Sequence, residues 1–132
     1  MLVDISVWID FFNGHESAEA THLARAIQDA EHIVITGVVL TEILLGLKND
    51  AEAKRILNLL EAFDYSAEPV RDDYIKASRI YRLCRSQGIT IRSTIDCLIA
   101  QLCLRDNLPL LSKDRDFTAI ASCVPLQLVT FK

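Results

Sequence analysis

The sequence predicts an α/β fold, a three-layer α/β/α sandwich around a mostly parallel sheet of about five strands. Three observations lead to it. Short apolar runs at residues 1–4, 33–35 and 108–111 have the length and branching of buried strands. Longer segments between them carry apolar residues at helical spacing. Strand and helix signals alternate along the chain, as parallel βα units require. At 132 residues, 51% of them hydrophobic, the chain fits one domain. A domain of this size buries about two-thirds of its unfolded surface, enough for a real core. No Pro/Gly/Ser-rich linker, repeat or low-complexity tract divides it, so residues 1–132 read as a single domain.

Residues 1–4 are the first strand. Ser6 is placed to cap a short helix over residues 7–12, which Asn13 and Gly14 end. Residues 17–30 read as an amphipathic helix with Leu23, Ala26, Ile27 and Ala30 on one face. Ile33, Val34 and Ile35 form a β-branched strand. Thr36 and Gly37 then turn into a helix over 38–47. Asp50 can cap the next helix, whose inner face holds Ile56, Leu57, Leu60 and Phe63. A short strand is expected near 66–70. Residues 71–87 form a long helix with Ile75, Ser78, Tyr81 and Cys84 in i, i+3 steps, stopped by Gly88. A further helix runs from Ser93 to Asp106. Residues 108–111 are a buried strand, 114–122 a short helix and 126–129 a last strand.

Composition removes several classes. The start lacks a basic segment and carries Asp4, so it is not a secretory signal. The longest apolar stretch, 33–47, is broken by Glu42 and falls short of the roughly 20 residues a membrane span needs. A soluble, cytoplasmic protein is expected. Cys84, Cys97, Cys103 and Cys123 form no CxxC pair and no zinc spacing with His15, His22 or His32. Cys97 and Cys103 read as core filler in a reducing compartment. The net charge of −4 disfavours a broad nucleic-acid face, yet residues 1–65 carry −7 and residues 66–132 carry +3. A polyanion can still dock on the second half.

Against this background four acids stand out. Asp4 ends the first apolar run, Glu42 interrupts a helix, Asp96 heads Ile95-Asp96-Cys97-Leu98, and Asp114 follows Leu110-Leu111. Isolated carboxylates beside buried apolar segments are unfavourable unless something positive meets them. Glu42 has Val38, Val39, Leu45 and Gly46 as its helical neighbours, an apolar stripe. The plain alternative is a helix edge where Glu42 reaches solvent beside Thr41. Ser93 and Asp96 have the spacing of a capping box, so Asp96 can serve as both cap and ligand. Asp114 and Asp116 share one charged loop, in which one of them must cap the following helix. In an open parallel sheet ligands gather at the carboxyl ends of the strands, and all four acids can reach that rim. The donors are hard oxygens without a His or Cys cluster, which favours Mg²⁺ or Mn²⁺ over zinc. Such an ion activates water and neutralises a phosphate, so phosphodiester or phosphoester hydrolysis is the expected reaction.

Met1-Leu2-Val3-Asp4-Ile5-Ser6, Thr41-Glu42-Ile43, Ile95-Asp96-Cys97-Leu98-Ile99-Ala100 and Leu111-Ser112-Lys113-Asp114-Arg115-Asp116-Phe117 resemble the motif series of PIN-domain ribonucleases. The resemblance is to VapC-type toxins and spans nearly the whole chain, in order. It implies a PIN-like sandwich in which Asp4, Glu42, Asp96 and Asp114 are the catalytic acids around Mg²⁺ or Mn²⁺. Asp116 would be an auxiliary ligand. Ser6 matches the hydroxyl that hydrogen-bonds a carboxylate or substrate. Ile5 stands where many relatives carry Thr. The resemblance further implies an RNA substrate cut to 5′-phosphate and 3′-hydroxyl ends, a homodimer, and a cognate antitoxin whose basic tail lies in the acidic groove. Arg92 and Ser93, just before Asp96, are expected beside the substrate or supporting the acids. Trp8, Phe11 and Phe12 would either receive the tail or pack in the core. Arg79, Arg82 and Arg85 either touch phosphates or form a solvated helix face.

Two rivals remain. Asp4 after the first strand could be a phosphatase nucleophile, although such enzymes usually carry a second acid two residues on, where this chain has Ser6. Alternatively the chain is a catalytically inactive PIN-like module whose acids only hold a partner's basic tail.

Overall fold

The computed structural model describes residues 1–131. The sheet has four strands, each of two residues: β1 (Leu2–Val3), β2 (Val34–Ile35), β3 (Asp64–Tyr65) and β4 (Leu110–Leu111). Their order is β3-β2-β1-β4 and every pairing is parallel. Leu2 lies opposite both Val34 and Leu110, and Val3 opposite Leu111.

The helices are α1 (Ile5–Phe12), α2 (Ala18–Gln28), α3 (Gly37–Leu45), α4 (Asp50–Leu60), α5 (Arg71–Ser86), α6 (Thr94–Asp106) and α7 (Arg115–Ala121). The crossovers from β1 to β2 and β2 to β3 run one way across the sheet, and the crossover to β4 runs back. Right-handed connections therefore put α1–α4 on one face and α5–α6 on the other. The packing agrees: α1 contacts α2 and α3, while α5 contacts α6 and α7. The sandwich is thus the expected one, with four strands rather than five.

The missing strand has a local cause. Leu110 N–H donates to the Gln127 carbonyl at 2.8 Å and its own carbonyl accepts from Val129 at 2.9 Å. That is a single parallel bridge, Leu110 to Leu128. The chain turns tightly at Pro125, Leu126 N–H donating to the Val124 carbonyl at 2.8 Å, and the single bridge follows directly. The third strand lies at Asp64–Tyr65 instead of 66–70. Its ladder ends at Ser66, whose N–H reaches the Ile35 carbonyl at 2.9 Å, and Pro69 follows soon after.

Two caps differ from expectation. Asp4, not Ser6, caps α1. Asn49, not Asp50, caps α4 through an acceptor 2.9 Å from Glu52 N. In both cases the cap moves one or two residues upstream, because a carboxylate or amide oxygen one turn earlier already meets the free amide. Ser17 and Thr36 cap α2 and α3 as Ser and Thr do elsewhere.

Inner faces also shift. On α5 the buried residues are Asp73, Ala77, Ile80 and Cys84, while Ile75 and Ser78 are exposed. An i, i+3 series drifts off a 3.6-residue helix, and the observed 4-3-4 spacing stays on one stripe. On α4 Ile56 and Leu60 are buried but Leu57 is not. On α2 Ala20, Leu23 and Ala26 are buried, and Ala30 lies beyond the helix with φ of 53°.

One core cluster joins Leu2, Val3, Ile35, Trp8, Leu23, Ile99, Leu110, Leu111, Phe117 and their neighbours. Trp8 is 1% exposed and packs against Phe11, Phe12 and Phe63 at ring separations of 5.5–5.9 Å. Trp8 is core, and Phe11 and Phe12 are half-buried against it. Cys84, Cys97 and Cys103 are buried free thiols, and burial pushes them up to about 12, 11 and 12. They are protonated filler. Among the described residues, no helix is long and apolar enough to cross a membrane.

Candidate metal centre

Topology assembles the acids. Strands β2 and β3 extend the sheet to one side of β1, and β4 lies on the other, so the chain changes direction at the β1–β4 boundary. A crevice opens there at the carboxyl ends of the strands. Asp4 follows β1 directly, and Asp114 lies three residues past β4. Glu42 projects from α3, which follows β2, the other neighbour of β1.

Asp4 is 3% exposed. Its Oδ2 accepts from Ser6 N at 3.3 Å, Ser6 Oγ at 2.8 Å and Ser112 Oγ at 2.9 Å. Ser6 therefore does hold a site carboxylate. Ser112 is the partner that sequence reasoning passed over. The signal was present: a hydroxyl two residues before Asp114 mirrors Ser6, two residues after Asp4. Ser112 Oγ also accepts from Asp114 N at 3.0 Å, joining the two acid-bearing turns.

Asp96 occupies the third position of α6 and is buried. The Ser93 side chain makes no cap hydrogen bond, so the capping box does not form. Capping therefore does not account for Asp96. Burial pushes its carboxyl up to about 7, helped by the negative charges of Asp114, Asp4, Asp116 and Glu42 in that order. Glu42 is half-buried, and its carboxyl is raised by burial and then by Asp4. Glu42 is thus neither a fully exposed helix-edge residue nor a member of the close-packed acids, and Asp4 acts on it through its charge.

Asp114 caps α7, its Oδ1 accepting from Asp116 N at 2.9 Å. Asp116 Oδ2 accepts from Arg92 N at 3.2 Å and Arg92 Nε at 3.4 Å. Arg92 Nη2 lies 3.8 Å from Asp114 Oδ1. Arg92 thus bridges the two acids of the loop, while its side chain remains 77% exposed. Carboxylate oxygens of Asp96, Asp114 and Asp116 lie within 4.8 Å of one another, and among the described residues no other group of three His, Cys, Asp or Glu does so. Asp4 and Glu42 stand outside that trio, near enough to act on it electrostatically. Arg79, Arg82 and Arg85 are exposed along α5, as a solvated face would be.

Residues 1–122 match the family model described as PIN domain. The chain belongs to the PIN-domain family. VapC ribonuclease Mb1587 of Mycobacterium bovis is 31% identical over 133 residues, covering 100% of this chain and 99% of that protein. Ribonuclease VapC11 of Mycobacterium tuberculosis matches at the same identity and coverage. Among solved structures, VapBC2 from Rickettsia felis bound to a promoter DNA fragment superposes with a TM-score of 0.75 at 16% identity, covering 99% of this chain and 98% of that one. VapBC-1 from nontypeable Haemophilus influenzae gives 0.72 at 18%, covering 97% and 95%. At such identities these two report on the PIN fold alone.

The carboxylate geometry of this PIN domain predicts an unusual pH profile. Folded Asp96 keeps its proton up to about 7, whereas an unfolded Asp releases it near about 4. Between those values the unfolded state binds fewer protons, so stability falls as pH rises. In chelator the melting temperature should therefore drop from pH 5 to pH 8, and Mn²⁺ should restore it at the upper end. Thermal unfolding across that range measures it; a flat profile indistinguishable from that of Asp96→Asn would refute the repulsion.

Proposed function

We propose that this PIN-domain protein is a metal-dependent endoribonuclease of the VapC type, the toxin of a type II toxin–antitoxin pair. The observation that carries the reading is the trio Asp96, Asp114 and Asp116, packed within 4.8 Å at the sheet's switch point. Three carboxylates held that close, one of them pushed up to about 7, call for a counter-cation. Their donors are all hard oxygens, which fits Mg²⁺ or Mn²⁺. Asp96, Asp114 and Asp116 would hold the ion, with Asp4 and Glu42 completing the acidic wall. A divalent ion bound there lowers the pKa of water and neutralises charge on a phosphodiester.

The chain's own residues supply the rest. Ser6 and Ser112 fix the Asp4 carboxylate through its Oδ2. Arg92, 77% exposed and joined to Asp116 through a 3.4 Å contact, is placed to meet a substrate phosphate. Asp4 is a poor candidate for a phosphatase nucleophile, because its Oδ2 already accepts three hydrogen bonds and Ser6 cannot act as the second acid. The proposal includes one domain over residues 1–132, a cytoplasmic location, a homodimer, and an antitoxin whose basic tail meets the acids in place of the metal. The named VapC relatives at 31% identity support the ribonuclease class.

The test is cleavage of a mixed single-stranded and structured RNA pool with Mg²⁺ or Mn²⁺, beside chelator and Asp4→Asn. Cleavage is expected only with metal, and Asp4→Asn should lose about two orders of magnitude or more. Equal cleavage in chelator, unaffected by Asp4→Asn, would sink the mechanism.

A further inference from the structure

We propose that Lys113 and Asp10 form a positioning pair that holds the Asp114 turn onto α1 and keeps the lysine charge out of the acidic crevice. The proposal rests on reading the acids as a metal site.

Lys113 stands between Ser112 and Asp114, so its cationic side chain starts beside three carboxylates. It does not turn to them. Its Nζ lies 2.6 Å from Asp10 Oδ2, in the second turn of α1. Asp10 is 9% exposed and the Lys113 side chain 35%. A charge-assisted bond in so sheltered a position is stronger than a surface pair. The bond to Lys113 is the first cause holding the Asp10 carboxyl below the usual range, followed by Ser17. Asp10 is therefore an anion held by Lys113 and Ser17, and the acidic trio does not include it.

The backbone of the same turn is fastened to the same helix. Lys113 N donates to Ser6 Oγ at 3.1 Å, and Ser112 Oγ donates to Asp4 Oδ2 at 2.9 Å. The turn from β4 into α7 is thus tied to α1 at its start, in its first turn and in its second. Groups that orient metal ligands commonly change metal affinity by about tenfold to a hundredfold when removed. Here two effects combine. Loss of Asp10 loosens the turn and also frees an ammonium that competes with a metal ion for Asp4 and Asp114. Loss of Lys113 loosens the turn and leaves Asp10 unpaired, but adds no competing cation.

That asymmetry is the test. Mn²⁺ affinity is measured by titration calorimetry on the full chain, with circular dichroism as the folding check. Asp10→Asn should weaken binding by about tenfold or more, and Lys113→Met by less. The double variant Asp10→Asn/Lys113→Met should return to the level of Lys113→Met, because no free ammonium remains. A merely structural pair would lower the melting temperature without this rescue. Affinity within twofold of the parent for a folded Asp10→Asn, or a double variant weaker than both singles, overturns the proposal. Asp96→Asn serves as the control that removes the metal site itself. If the parent binds no Mn²⁺, the metal reading has failed, and amide exchange at residues 112–116 decides the pair alone. Faster exchange in Lys113→Met supports the fastening; unchanged exchange overturns it.

Discussion

Asp96→Asn is expected to reduce RNA cleavage by about a thousandfold while making the metal-free protein more stable at neutral pH. The first half follows from what the bound ion contributes. Charge stabilisation by a divalent ion is worth several kcal/mol, and about 1.4 kcal/mol is tenfold in rate. Asp96 belongs to the trio, and its carboxyl is raised by burial and then by Asp114, Asp4, Asp116 and Glu42. The second half follows from the same surroundings. Asn keeps the shape and the third-residue place in α6 but removes a charge that burial, and then the four neighbouring acids, disfavour. A site that loses function as it gains stability is the signature of a functional rather than a structural carboxylate. Cleavage rates in Mn²⁺ and melting temperatures in chelator at pH 8 measure the two halves. A variant that is both active and destabilised would reverse the assignment of Asp96.

Arg105→Met is expected to cost about 3 kcal/mol of stability, because it leaves a buried carboxylate without its cation. Arg105 Nη1 lies 2.8 Å from Asp73 Oδ2, and the Asp73 side chain is 4% exposed. The same guanidinium donates to the Ala67 carbonyl at 2.9 Å and Ser66 Oγ at 3.2 Å, and pairs with Asp106 at 2.9 Å. Gln101 Nε2 and Val70 N complete the shell around Asp73. One side chain thus ties the end of β3, the start of α5 and the end of α6. Lysine cannot reproduce the fork, so Arg105→Lys should recover only part of the loss. A loss of this size corresponds to a drop of about 10 °C in melting temperature for a domain of this length. The pH dependence has a definite sign. The Val70 amide, then Gln101 and Arg105, hold the Asp73 carboxyl below its unfolded value, so its contribution is present at neutral pH and lost as pH falls through the lowered value. The gap between parent and variant should therefore be widest near neutrality and narrow below about pH 4. A shift of under about 2 °C at pH 7 would mean the network adds nothing to stability.

The periodic segments were legible in the sequence. The helices lie where the apolar spacing placed them, within a few residues, because a buried stripe is written in the order of residues themselves. The acids were legible for a related reason: a lone carboxylate in an apolar run violates the pattern around it. What escaped was contact between distant segments. The pairing of β1 and β4 brings Ser112 to Asp4, 108 positions away in the chain. Asp10 and Lys113 meet across 103 positions. Asp73 is buried by α5 and meets Arg105 from α6. The 126–129 strand forms only a single bridge, because an apolar run reports preference, while the number of ladder bonds depends on how the chain meets its neighbour.

Local composition and spacing carried the α/β alternation and singled out the candidate acids with their hard-oxygen character. The tertiary structure decided which acids share one space and which are only their electrostatic neighbours. It also decided which charges are neutralised by a partner and which are left facing one another. That division depends on strand order and on burial, which set distance and dielectric together, and neither is a property of any single segment.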